Sequence, residues 1–304
     1  MIAAAGPTPS ATQYVERARA KINLSLTVLG RRPDGYHELE SLVAFADLAD
    51  TLTLDLTRPP GVTSTGQFAH AIEGANLVER ALDLASNACP GIAVGHVAIN
   101  KVIPVAAGLG GGSADAAAAL RLLPTANPGR FDPKLLIDLA LQLGSDVPVC
   151  LAGRTAIMRG RGETLTDIGS LPRLPAVLVK PGVAPLPGKT GAVFARWAAR
   201  GERDTAPAVL DIEALRSASG IAALIDVLAA HPNDLEPAAR GLMPEIGEVL
   251  SALADDPAAA LVRLSGAGPT CFALCHSQAA AEAMADRIRS RHPHWWVVAT
   301  SLGP

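Results

Sequence analysis

The sequence predicts a two-lobed α+β protein. Strand-like stretches, one of them at 21–29 with the period-two alternation of a half-buried strand, are mixed with segregated helical runs in both halves of the chain. The 304 residues are about twice the usual domain length. One long domain or two ordinary ones fit that length, and the Pro-, Leu- and Gly-rich stretch 169–175 places a boundary that gives lobes 1–170 and 171–304. Hydrophobic residues at 49% against 18% charged supply the apolar surface for a buried core.

Residues 21–29 alternate Lys21, Asn23, Ser25 and Thr27 against Ile22, Leu24, Leu26 and Val28, which predicts one strand with Lys21 at its start. Arg31-Arg32-Pro33-Asp34-Gly35 is turn chemistry and delivers Tyr36 and His37 at its end. A strand follows at 51–56, and Asn76-Leu77-Val78-Glu79 reads as a capping box for a helix to about residue 88. Next come a strand at 96–102, a glycine-rich turn, and an Ala-rich helix over 113–123 that Pro124 is expected to end. Asp132 as N-cap with Pro133 behind it opens an amphipathic helix on Leu135, Leu136, Leu139 and Leu143, closed by Gly144 just before Asp146. Beyond 175 the pattern predicts a strand at 176–180 and three or four helical stretches to about 254. Strands at 258–264, 271–275 and 295–300 then surround a helix at 278–289, and no internal repeat is seen.

The formal charge of −3 and the lack of a Lys/Arg block argue against a nucleic-acid or anionic-membrane partner and for a small molecule. Residues 1–12 lack a basic start and a long apolar run, and no segment approaches the roughly 20 apolar residues that span a bilayer, so a cytoplasmic protein is expected. Cys89, Cys150, Cys271 and Cys275 have neither zinc-site nor disulfide-scaffold spacing and are expected to be buried thiols.

The most informative stretch is Pro104-Val105-Ala106-Ala107-Gly108-Leu109-Gly110-Gly111-Gly112-Ser113-Ala114-Asp115. Glycine at four of the five positions 108–112 permits close backbone approach, at an entropic cost that a purely structural turn seldom requires. The loop leads into a helix N-terminus, where free amides and the helix dipole converge on an anion such as a triphosphate. A flexible turn packed on the Ala-rich helix is the competing account. The dinucleotide pattern G-x-G-x-x-G fails, because Ser113 stands where its third glycine belongs. Another rival, Gly182 to Gly188-Lys189-Thr190, follows a strand like a Walker A loop. It has five residues between its glycines where that loop has four, and two are prolines with no N–H to offer.

With those residues in view, the chain resembles the GHMP kinase superfamily of galacto-, homoserine, mevalonate and phosphomevalonate kinases, whose phosphate loop Pro104–Ala114 matches. It is most similar to the branch acting on a cytidine-diphosphate-linked methylerythritol. That likeness rests on Ala20-Lys21-Ile22-Asn23-Leu24 with Gly30-Arg31-Arg32-Pro33-Asp34-Gly35-Tyr36-His37, on the triple-glycine loop, on Gly144-Ser145-Asp146-Val147-Pro148, and on Leu264-Ser265-Gly266-Ala267-Gly268-Pro269-Thr270.

The resemblance implies an N-terminal lobe like ribosomal protein S5 domain 2, a C-terminal ferredoxin-like lobe and an active site in the cleft between them. It implies ATP-dependent phosphorylation of the 2-hydroxyl of that methylerythritol compound, with Mg2+ on the phosphates, in the non-mevalonate route to isoprenoid precursors. Homoserine or a mevalonate-type alcohol is the alternative acceptor, and the expected assembly is a monomer or homodimer. By the same resemblance Asp146 is the proton acceptor and Lys21 its partner. The implied ATP contacts are Lys101, Pro104, Ala107, Gly108, Leu109, Gly110, Gly111, Gly112, Ser113 and Ala114. The implied substrate contacts are Asn23, Tyr36, His37, Thr190, Phe194, Gly266, Ala267 and Gly268. The link 184–190 departs from the family's shorter Ser-Thr segment, which bears on the placement of Thr190 and Phe194.

Overall fold

The computed structural model describes residues 12–33, 35–71, 74, 76–169, 171–200 and 208–303. Nearly all of the 1–12 stretch, Asp34 of the turn and residue 170 at the expected lobe boundary lie outside the described residues. The first half holds strands β1 (Gln13–Asn23), β2 (Thr27–Arg31), β3 (His37–Asp55), β4 (Gly61–Thr65) and β5 (His96–Asn100), with β6 (Ala156–Gly160) and β7 (Thr164–Asp167) closing it. Its helices are α1 (Leu77–Ala88), α2 (Gly111–Ala126), α3 (Pro133–Leu143) and α4 (Val147–Ala152). The second half runs through β8 (Leu174–Lys180), α5 (Lys189–Ala198), α6 (Ile212–Ser217), α7 (Ile221–Ala229), α8 (Glu236–Leu242) and α9 (Glu245–Ala254). It ends with β9 (Leu261–Leu264), β10 (Cys271–Leu274), α10 (Gln278–Arg291) and β11 (Trp296–Leu302).

The two halves share one sheet. Its main path is β4-β5-β3-β11-β8-β10-β9, and β11 returns from the end of the chain to meet β3 at Leu302 opposite Ala46. The 19-residue β3 is the spine, pairing along its length with β1, β2, β5 and β6 as well. One apolar cluster spans both halves, joining Ile22, Leu42 and Leu109 of the first to Leu178, Leu224 and Phe272 of the second. Phe45 and Phe272 are the largest fully buried side chains, each contributing about 2–3 kcal/mol by burial. All four cysteines are buried and free, as expected.

The strand expected at 21–29 is two strands. Between β1 and β2 the backbone leaves the ladder: Ser25 Oγ accepts the Leu42 amide, and Leu26 exchanges backbone hydrogen bonds with the 232–234 segment of the second half. Most of β3 also escapes the sequence pattern. Glu38, Glu40 and Ser41 and then an unbroken apolar run from 42 to 46 hide its alternation. Pro124 does not end α2, which continues to Ala126 with Asn127 as its C-cap. One missing N–H in the last turn costs less than breaking a helix whose Leu120, Leu122 and Leu123 are buried. The capping expectations at Asn76 and Asp132 hold, with side-chain oxygens accepting from Val78 and Leu135 amides.

Candidate active site

Lys21 is aimed by an irregularity in β1. The register with β3 shifts between Arg19 and Lys21. Ala18 packs in the core beneath the helices of the first half, whereas Ala20 and Ile22 pack in the core on the opposite face. The shift therefore swaps faces and leaves Lys21 and Asn23 on the helix side, as strand irregularities near functional sites often do. There the Lys21 ammonium meets Asp146 Oδ1 at 2.7 Å, with the lysine side chain 5% and the aspartate 33% exposed. Asp146 precedes the short helix α4 as its N-cap residue without a side-chain capping bond, so its carboxylate is free to serve Lys21.

The glycine-rich loop lies against the same lysine. The Lys21 amide donates to the Leu109 carbonyl at 2.8 Å, and Gly110 caps α2 in the left-handed conformation (φ 63°). A Cβ at Gly110 would stand 3.1 Å from Lys21 Cβ. The first bond into α2 runs from the Ala114 amide to the Gly110 carbonyl, so the amides of Gly111, Gly112 and Ser113 occupy its open first turn. Pro104, Ala107, Leu109 and Ala114 are buried and anchor the loop, while Gly112 is exposed.

A second turn, Gly266-Ala267-Gly268, supports the first. Ser265 Oγ donates to the Gly108 carbonyl at 3.0 Å, and the Thr270 amide to the Ala107 carbonyl at 3.0 Å. Gly108 (φ 82°) is fitted so closely that a Cβ would fall 2.6 Å from the Gly268 carbonyl oxygen. Asn233 Nδ2 holds the turn from behind through the Leu264 and Gly266 carbonyls, both at 2.8 Å. Asn23 lies beside it, donating to Ser41 Oγ at 2.7 Å, and its buried Oδ1 has no hydrogen-bond partner among the described residues.

Lys101, expected to contact ATP, is turned inward instead. It is 3% exposed and clamped between Asp50 Oδ2 (2.5 Å) and Asp115 Oδ2 (2.6 Å) beneath the loop. Asp50 Oδ1 also accepts the Val102 and Ile103 amides, which fixes the chain leading into the loop. Burial pushes the Asp115 carboxyl up to about 7, against the pull of the Lys101 ammonium. Burial draws Lys101 down, but the two carboxylates outweigh it and hold the ammonium above its ordinary value.

Tyr36 and His37 part company. Tyr36 is half exposed with the Arg161 guanidinium 5.1 Å from its ring centroid. His37 stacks on Phe194 at 4.9 Å and meets Trp197 edge-on at 5.5 Å, with its buried Nε2 unpartnered among the described residues. Burial and then the charge of Arg31 hold the imidazole below its ordinary value, which favours the neutral ring. Phe194 thus joins His37 despite the altered link before it, while Thr190 is exposed on the first turn of α5. Sequence reasoning misses Asp50, Asp115, Arg161, Trp197, Ser265 and Asn233 as supports. Asp115 closes the glycine-rich stretch, yet its partners come from positions 50 and 101, which no local pattern connects.

Two family models match the chain. Residues 76–154 match the GHMP kinases N terminal domain and residues 211–294 the GHMP kinases C terminal model. A crystal structure of 4-(cytidine 5'-diphospho)-2C-methyl-D-erythritol kinase superposes with a TM-score of 0.75 at 34% identity, covering 96% of this chain and 100% of that one. The Cytophaga hutchinsonii homoserine kinase shares the fold, with a TM-score of 0.70 at 19% identity over 99% of this chain and 98% of that one. The fold and the paired models make this chain a GHMP kinase.

The sequence relatives are narrower. The 4-diphosphocytidyl-2-C-methyl-D-erythritol kinase of Rhodopseudomonas palustris (strain BisB18) is 49% identical over 95% of this chain and 94% of its own length. The protein of the same name from Bradyrhizobium diazoefficiens is 46% identical over 95% and 97%. The chain belongs to the 4-diphosphocytidyl-2-C-methyl-D-erythritol kinase family.

Proposed function

We infer that the protein transfers the γ-phosphoryl group of ATP to the 2-hydroxyl of 4-diphosphocytidyl-2-C-methyl-D-erythritol, in the non-mevalonate route to isoprenoid precursors. The observation that carries this reading is the Lys21–Asp146 pair set beside the open first turn of α2. The amides of Gly111, Gly112 and Ser113 receive the phosphates, and the helix dipole adds to the attraction. Asp146 accepts the hydroxyl proton as the oxygen bonds to the γ-phosphorus, the bond to the bridging oxygen breaks and ADP departs. Lys21 orients the carboxylate through its charge-assisted hydrogen bond and offsets charge on the transferring group.

The half-buried His37 with its unpartnered Nε2, and Phe194 and Trp197 around it, suit a flat base that offers an edge to hydrogen-bond and a face to stack. Arg161 over Tyr36 suits the diphosphate of the same substrate. Asn23 Oδ1, Thr190 and the Gly266-Ala267-Gly268 turn complete the assigned contacts. Magnesium fits as an ion carried in on the nucleotide, where it would neutralise adjacent phosphates. Asp50 and Asp115 are turned onto Lys101, whereas the Asp146 side chain is 33% exposed and would be open to such an ion.

We assign the two lobes the S5 domain 2-like and ferredoxin-like folds, divided near residue 170, on a cytoplasmic protein. No helix among the described residues is long and apolar enough to cross a membrane. The test is ADP release with the cytidine-linked alcohol, homoserine and mevalonate as acceptors. Turnover is expected with the first, and preference for either of the others would overturn the substrate assignment.

A further inference from the structure

The Gly188-Lys189-Thr190 segment fails as a phosphate loop by its spacing, yet its lysine reaches the loop that does fit. Lys189 is the first residue of α5 and is 6% exposed. Its ammonium donates to the Ala106 carbonyl at 2.7 Å and to the Gly268 carbonyl, one acceptor on each of the two turns that flank the phosphate site. Ala106 is itself in the left-handed region at φ 54°, a conformation that is costly for a non-glycine residue and persists where its surroundings hold it. The same α5 carries Phe194 against His37.

We propose that Lys189 is a positioning residue for nucleotide binding, whose ammonium pins the glycine-rich loop to the Gly266–Gly268 turn and fixes the gap between the backbones that close on the triphosphate. This rests on the reading of that loop as the ATP site. Two carbonyls occupy two of the three N–H donors, and no carboxylate acts on the ammonium among the described residues. A cation buried without a counter-charge is expensive, and the structure keeps it where a polyanion is expected to arrive. Burial, with a smaller push from the Lys180 charge on β8, brings Lys189 down to about 8. Lys180 donates to the Pro181 and Val183 carbonyls and is, among the described residues, the charged side chain that acts on Lys189, while the loop and the second turn contribute backbone carbonyls.

The experiment is the dissociation constant of a non-hydrolysable ATP analogue, read by calorimetry on the full chain from about pH 6.5 to about pH 9.5. Wild type, Lys189→Met and Lys180→Gln are compared. Wild-type binding is expected to weaken as pH rises through about 8. Lys189→Met is expected to bind about tenfold more weakly at neutral pH and to lose that break. Lys180→Gln removes the like charge and is expected to move the break to higher pH. Wild-type-like binding by Lys189→Met would overturn the proposal, as would a wild-type curve with no break. Should Lys189→Met not fold, an unmoved break in Lys180→Gln decides against it. The readout involves no acceptor alcohol, so a failed substrate assignment leaves it intact. Absence of nucleotide binding by the wild type would sink the ATP site and the role of Lys189 together.

Discussion

The Lys21 ammonium and Asp146 Oδ1 meet at 2.7 Å across 125 residues of sequence, and the Lys21 amide also donates to the Leu109 carbonyl of the glycine-rich loop. One residue therefore ties the proposed proton acceptor to the glycine-rich loop. Asp146→Asn keeps the shape and removes the proposed base, so kcat is expected to fall by about 10²–10⁴ with little change in nucleotide affinity. Single-turnover kinetics beside calorimetry separates the two, and a variant with near-normal kcat would remove Asp146 from its role.

Gly108 is held at φ 82° with the Gly268 and Ser265 carbonyl oxygens 2.6 and 2.8 Å from where a Cβ would stand. Gly108→Ala should then destabilise the fold by about 1–3 kcal/mol, because backbone, unlike a flexible side chain, cannot swing aside. Urea denaturation measures this directly. Unchanged stability would mean that the two turns are not in contact.

Asp115 shares the Lys101 ammonium with Asp50, and burial lifts its carboxyl to about 7 from an ordinary value of 3.8. The folded state thus binds a proton that the unfolded state releases between those two values, so this group's contribution favours folding at the acid end and is lost as pH rises through about 7. Asp115→Asn should flatten that part of the stability profile and gain most, relative to wild type, above about pH 7. Thermal melts of both proteins across the window test it; parallel profiles would contradict the raised value.

Phe194 stacks on His37 at 4.9 Å from the first helix after the altered link. If the opposite face of the Phe194 ring serves the cytosine ring in ground and transition states alike, Phe194→Ala raises KM for the cytidine-linked substrate by about fivefold to tenfold and leaves kcat nearly constant. Steady-state kinetics with the substrate varied decides between this and a purely packing role, in which KM would not move.

Much is legible along the chain because the signals are local. The glycine run before an Ala-rich helix, the Asn76 and Asp132 caps, and the strands near 176–180 and 271–275 each declare themselves within a dozen residues, where turn chemistry and periodicity act. What the fold decides concerns partners far apart. The family resemblance groups Lys101 with the ATP contacts, but only the packed structure shows Asp50 and Asp115 closing on it from two other elements.

The face that Lys21 presents is equally out of reach. Its strand alternates correctly from 21 onward, yet the register shift after Arg19 depends on how β3 runs beside it. Lys189 sits in a motif whose spacing speaks against phosphate, and its link to Ala106 and Gly268 arises from the way α5 docks. Composition and local pattern determined which residues can turn, cap and bind an anion. Tertiary packing alone decided which charges meet, because a buried ion pair takes its partners from whatever the sheet brings within about 3 Å, regardless of distance along the chain.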